Sequence, residues 1–282
     1  MIFAMLFCME NKLQFVMTDK NANFASYSNA PWEEFFEPFC VINRDKIHAR
    51  YNQRNKITRK NKKLKIALYK LLHGVKYFTQ DIFYKVYPDY YDKEIILDKL
   101  DIKGNTFEVI KPFAEMVWTF KPSIKEKMQN VLKEMHLPSK YAAIQMRRGD
   151  KVTIWGTITA SAQQYMEELK KLTDIKDVLL LCDDYDDVKY LMDNYPEYRF
   201  YTICKPDEHG YCNDTFQALE PEKKKERFIE LFATVDAMLR ADLFLGTSIA
   251  NPQLFLKMIM PPEKFFLMEK LVPDSLKSEA KK

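Results

Sequence analysis

Glycine is scarce in this sequence, with six among 282 residues. So few glycines leave no room for a Gly-rich phosphate loop: neither GxxxxGK[ST] nor GxGxxG occurs, which argues against a P-loop NTPase and a dinucleotide-dependent dehydrogenase. Histidine is scarcer still. His48, His73, His136 and His209 are scattered, and neither HExxH nor GxSxG is present, so a zinc hydrolase and a serine hydrolase of the usual kinds are also disfavoured. The five cysteines, at positions 8, 40, 182, 204 and 212, form an odd set without a CxxC pair. That pattern suggests neither a disulfide framework nor a zinc ribbon and fits a reducing compartment. No stretch approaches the ~20 consecutive apolar residues of a membrane span. The opening MIFAMLFCMENKLQFVM has no basic residue ahead of its apolar run and no small-residue cleavage site, so it is a poor signal peptide. A soluble, cytoplasmic protein without an integral membrane segment is expected.

A strong excess of one charge is missing too. Forty-four basic side chains against 40 acidic give a net charge of +4, small for this length and no argument for a nucleic-acid partner. The one basic run, from Arg50 to Lys65, lacks the interleaved aromatics of a single-strand binder and reads as a solvated linker or exposed helix.

What is present is enough apolar material for a sizeable core: 47% hydrophobic and 14% aromatic residues against 30% charged. At this length two compact halves are expected. Residues 1 to 10 read as part of a buried helix, Lys12 to Thr18 alternates like a strand, and PWEEFFEPFC is an aromatic turn with Trp32, Phe35 and Phe36 packed inwards. Helical spacing returns in IALYKLLHGVKYFTQDIFYKVY, with a break at Gly74, and in VIKPFAEMVWTFKPSIKEKMQNVLKEM. The boundary is expected between about Lys111 and Ser139, which divides the chain into a first domain over 1–125 and a second domain over 126–282.

From Tyr141 the pattern changes to alternating strands and helices. YAAIQM, DVLLLCDD, YRFYTI and ADLFLGTS read as strands, separated by SAQQYMEELKKL, YDDVKYLMDNY and a long helix to Arg240 that presents Phe228, Leu231, Phe232, Val235 and Leu239 on one face, and followed by a helix over NPQLFLKMIM. Such alternation implies an α/β fold with a parallel sheet, and ligands of such sheets bind at the carboxyl ends of the strands.

Three polar clusters sit just past strands: Gln145 to Lys151, Cys182 to Asp187 and Gly246 to Asn251. If the sheet is parallel they converge on one crevice. Arg147 and Arg148 offer planar forks for bidentate phosphate contact and Lys151 adds a point charge, so a diphosphate is the natural match. Gly149 allows a sharp turn, and Asp150 either orients an arginine, accepts from a ribose hydroxyl, or forms a plain ion pair. Asp183 and Asp184 either face a ligand or cap the following helix; Thr247 and Ser248 either hold an anion or cap theirs. Cys182 reads as a small buried hydrophobe.

The motif AIQMRRGDKV, followed by LLLCDDYDDVKYLMDNYPEYRFY and ADLFLGTSIANPQLFLK, resembles the superfamily of α-1,6-, α-1,2- and protein O-fucosyltransferases, and most of all its α-1,6 branch. The resemblance covers roughly Pro112 to Pro262. It implies a GT-B-like architecture of two Rossmann-like domains. The first would here be truncated or degenerate, because family members begin with a Gly-containing strand ahead of the first helix. It implies inverting, metal-independent transfer from GDP-fucose, a nucleotide sugar bound mainly by the second domain, to a glycan acceptor, with no metal or other cofactor. Arg147 would contact the β-phosphate as the catalytic residue, and Gln145, Arg148, Asp150, Lys151, Asp183, Asp184, Thr247, Ser248 and Asn251 would complete the donor site. Gln145 stands where the α-1,6 branch commonly has histidine. The acidic residue expected shortly after the lysine is absent from KVTIWGTITA, so the acceptor and the general base do not carry over. A non-catalytic nucleotide- or glycan-binding relative is the alternative.

Overall fold

The computed structural model describes residues 1–20, 30–52, 63–82, 94–97, 101–150, 159–247 and 251–268. The chain divides into two compact units, Met1–Lys121 and Pro122–Lys282.

The first unit opens with helix α1 (Ile2–Glu10), whose Ile2, Phe3, Met5 and Leu6 are buried. The strand expected over Lys12 to Thr18 shortens to β1 (Val16–Met17), which pairs in parallel with β2 (Val41–Ile42). Between them Trp32, Phe35 and Phe36 are buried as expected, and Trp32 and Phe36 stack at 4.5 Å. Asp19, just past β1, is buried and accepts from Trp32 N at 3.1 Å and from Arg44 at 3.0 and 2.7 Å, so its charge is paired. Helix α2 (Lys46–Tyr51) starts at Asp45, whose carboxylate accepts from Ile47 N at 2.7 Å. Helix α3 (Lys63–Leu72) ends before Gly74, which takes φ +63°. Residues 53–62 of the basic run lie outside the described residues.

Sequence periodicity did not show the antiparallel pair β3 (Glu94–Leu97) and β4 (Ile102–Asn105). Asn105 then opens helix α4 (Thr106–Val117) with a capping box to Glu108.

The second unit begins with α5 (Pro122–Met135) and contains β5 (Ala142–Gln145), α6 (Ala162–Leu172), β6 (Asp177–Leu181), α7 (Tyr185–Asn194), β7 (Arg199–Thr202), α8 (Asn213–Gln217), α9 (Pro221–Leu239), β8 (Leu243–Gly246), α10 (Asn251–Ile259) and β9 (Phe265–Leu267). The strand–helix alternation legible in the sequence therefore holds, with α8 and β9 added. The five strands form one parallel sheet in the order β7-β6-β5-β8-β9. Ile144 pairs with Leu180 on one side and Leu245 on the other, so β5 is central. Its run of four buried residues, Ala142 to Gln145, is the pattern of a strand covered on both faces.

Ala142, Ile144, Val178, Leu180, Leu243 and Leu245 alternate onto one face and pack with Tyr165, Met166 and Leu169 of α6 and Val188 and Leu191 of α7. The expected stripe of α9 is corrected. Phe232 and Val235 are buried, but Phe228, Leu231 and Leu239 are only half-buried, while Ile229, Ala233, Ala237 and Met238 belong to the core. The helix packs against α5, α10 and β6 together, and contacts from several directions widen its buried arc beyond a single stripe.

Candidate functional site

Because the sheet is parallel, the ends of β5, β6 and β8 lie side by side, and the described residues of the polar clusters that follow them share one edge. The chain runs β5-β6-β7 to one side of the sheet and β8-β9 to the other. The switch point is therefore between β5 and β8, where an open α/β sheet leaves a crevice.

The loop after β5 carries the two arginines, and neither guanidinium is isolated. Arg147 donates from Nη2 to Asp150 Oδ1 at 2.5 Å and from Nη1 to Asp183 Oδ2, and the Tyr211 ring covers it at 4.8 Å. Arg148 donates from Nε to Asp187 Oδ2 at 2.5 Å and from Nη1 to Thr159 Oγ1 at 2.7 Å. The plain ion pair that the sequence left open for Asp150 is thus present with Arg147.

Asp183 organises this corner. Its Oδ1 accepts from Arg148 N at 2.7 Å, its Oδ2 from Tyr211 N at 2.9 Å as well as from Arg147, and its backbone oxygen from Gly210 N at 2.7 Å. Two loops far apart in sequence are thereby tied to the end of β6. Asp150 N adds a bond to Tyr211 O at 2.9 Å. Gly149 takes φ +54° against this second loop, and a Cβ there would stand 2.1 Å from Tyr211 O. A Cβ on Gly210 would stand 2.7 Å from Gly149 Cα, so the two glycines allow backbone to meet backbone.

Sequence reasoning missed Gly210, Tyr211 and Thr159, and placed Asp187 in a strand-end cluster without giving it a role. The available signal was HGY at 209–211, one of only six glycines, next to an aromatic residue.

No protein-family model matches the chain, and no curated protein matches it. Solved structures do. The chain is similar to the NodZ α-1,6-fucosyltransferase soaked with GDP-fucose, at 13% identity and TM-score 0.52 over 92% of this chain and 87% of that one. The same protein co-crystallised with GDP aligns at 11% identity and TM-score 0.52 with the same coverage. The fucosyltransferase NodZ from Bradyrhizobium aligns at 11% identity and TM-score 0.53.

The chain has a fucosyltransferase fold.

At these identities the likeness is one of fold, and it agrees with the superfamily resemblance carried by AIQMRRGDKV. Within the fucosyltransferase fold, Gln145 is the last residue of the central strand, 3% exposed, and its Oε1 has no hydrogen-bond partner among the described residues. A buried acceptor left unsatisfied costs about 1–3 kcal/mol, which is unusual in a core and common where a ligand completes the bonding. Thr247 is buried at the end of β8. Lys151 and Ser248 lie outside the described residues, as does the side chain of Asn251, the first residue of α10. Asp184 accepts from Asp186 N at 3.1 Å and so caps α7, the second of the two roles open to it from sequence. Asp184, Asp186 and His209 bring one possible ligand atom each within 4.8 Å of one another, and Asp186 and His209 are exposed. Burial pushes the Cys182 thiol up to about 12, and its Sγ donates to Asp184 O at 3.3 Å, so it behaves as a small buried residue. Among the described residues no helix is long and apolar enough to cross a membrane.

Proposed function

We propose that the chain is a nucleotide-sugar-dependent glycosyltransferase that transfers fucose from GDP-fucose to a glycan hydroxyl with inversion and without a metal. The observation that carries the reading is the Arg147 fork at the end of the central strand, beside the β5/β8 switch point of a sheet with the fucosyltransferase fold. Charge builds on the departing diphosphate as the fucosyl carbon gains oxocarbenium character. A fixed guanidinium therefore favours the transition state over the ground state.

In this reading Asp150 and Asp183 orient that guanidinium. Their two bonds use two of the five N–H groups an arginine carries, leaving the others for phosphate oxygens. Tyr211 covers one face, so the ligand approaches along the guanidinium plane or from the opposite face. Gln145 supplies a buried acceptor for a donor group on the nucleotide, with Arg148, Lys151, Thr247, Ser248 and Asn251 as further donor-side residues. The first unit is assigned to the acceptor.

The second reading, a non-catalytic nucleotide- or glycan-binding relative, is favoured by one observation. Arg147 and Arg148 face three carboxylates, Asp150, Asp183 and Asp187, which offset their attraction for a diphosphate. The deciding experiment is calorimetric titration of GDP, UDP and GDP-fucose without metal into the wild type and Arg147→Ala. Micromolar GDP binding lost in the variant, with turnover of GDP-fucose, supports the transferase. Binding without hydrolysis or transfer supports the second reading, and no nucleotide binding by folded protein removes the transferase and the nucleotide-binding form of the second reading, leaving a glycan-binding relative.

A further inference from the structure

Helix α3 turns its apolar side chains both ways. Ile66 and Tyr69 point into a small core with Tyr51 and Phe78, to which Ile47 and Val75 add. Leu64, Leu68, Leu71 and Leu72 are 84%, 53%, 80% and 71% exposed. Their spacing of i, i+4, i+7 and i+8 places them on one stripe roughly 100° wide, on the side of the helix opposite Ile66 and Tyr69. Four leucines aligned in water on a helix of ten residues are not the scattered apolar residues of an ordinary surface.

The charge along this stretch of sequence is one-sided between Asp45 and Asp81, the latter paired with Lys70 at 2.8 Å. From Lys46 to Gln80 the sequence holds eight lysines and three arginines and no aspartate or glutamate, which leaves 33 basic against 40 acidic side chains in the rest of the chain. A protein of small net charge thus concentrates its positive charge in one segment. Lys63 and Lys65 are exposed on α3 itself, Lys46 and Arg50 on the adjoining α2, and Lys76 shortly after α3, next to half-exposed Tyr77.

We infer that this face docks on the surface of an anionic phospholipid bilayer. The leucines enter the headgroup boundary, while the lysines and arginines meet lipid phosphates. Charge selects this occupant. A second copy would bring the same positive segment against itself. A nucleic acid would neutralise the cations but leave the leucines in water. A surface that is apolar beneath an anionic layer takes both. The inference is independent of the proposed transferase activity.

The test is flotation of the full chain with phosphatidylcholine–phosphatidylglycerol vesicles and with pure phosphatidylcholine vesicles. Two double variants accompany it, Leu68→Ser with Leu71→Ser and Lys63→Glu with Lys65→Glu, and circular dichroism verifies that each is folded. The wild type is expected to float with the anionic vesicles only. The leucine pair should weaken partition by roughly tenfold or more, and the lysine pair by about fivefold or more for each cation lost. Three results overturn the inference. The wild type fails to float with anionic vesicles; or it floats and the leucine variant floats equally, which would leave a purely ionic contact. The third is a dimer of the wild type in sizing that the leucine pair separates, without vesicle binding.

Discussion

Replacing Gly149 by alanine tests whether the arginine loop is held by backbone contact. The structure lets the cost be assembled from parts. At φ +54° a residue with a Cβ is disfavoured by roughly 1–2 kcal/mol. The added methyl would stand 2.1 Å from Tyr211 O and 2.5 Å from Tyr211 N, both backbone atoms with no rotamer to escape into. The loop must therefore retreat by about 1 Å to reach a normal carbon–oxygen contact. That retreat breaks the bond from Asp150 N to Tyr211 O and the bond from Tyr211 N to the Asp183 carboxylate. The first contributes about 0.5–1.5 kcal/mol and the second, to a charged acceptor, about 1.5–3 kcal/mol. The expected loss is roughly 3–6 kcal/mol, a large part of the total stability of an ordinary domain. Gly74→Ala is the control, because Gly74 has φ +63° but no atom within 4 Å of the place a Cβ would take, so it should lose only the backbone part. Urea denaturation gives the global loss, and hydrogen exchange at Asp150 and Tyr211 shows whether the loop detaches first. If Gly149→Ala and Gly74→Ala cost the same, and the two amides keep their protection, the docking of these loops plays no part in holding Arg147.

Gln145→Leu should act with opposite signs on stability and binding: removing an unsatisfied buried acceptor stabilises the fold by about 1 kcal/mol, while nucleotide affinity falls. Thermal melting and titration of GDP on the same sample check both, and a destabilised variant of unchanged affinity would contradict the assignment. Burial holds the His48 imidazole below its ordinary value of 6.5; Asp45 opposes that shift and His73 adds to it. Its folded pKa lies below its unfolded one, so its contribution to stability is complete above pH 6.5 and is lost as pH falls from there towards the folded value. Melts between about pH 7.5 and pH 5.5 should show that loss, and His48→Leu should flatten it; an unchanged slope in the variant would assign the dependence to other groups.

The sequence by itself determined the strand–helix alternation after Tyr141 and the placing of polar clusters at strand ends. Both follow from local periodicity, since a buried parallel strand is a short apolar run and its end is where polarity returns. It also determined the buried aromatic turn at Trp32, Phe35 and Phe36 and the break at Gly74. Tertiary structure alone decided the partners. Arg147 meets Asp183 across 36 positions because β5 and β6 are neighbours, and Tyr211 reaches it only because two glycines allow two loops to touch. The core face of α9 was misread because several elements press on it at once, which a single-helix period does not encode. The sequence puts the leucines of α3 at helical spacing without saying which side of the helix is covered. Their exposure depends on which side of the helix Tyr51 and Phe78 occupy, and that is settled by packing between segments rather than by any segment's own pattern.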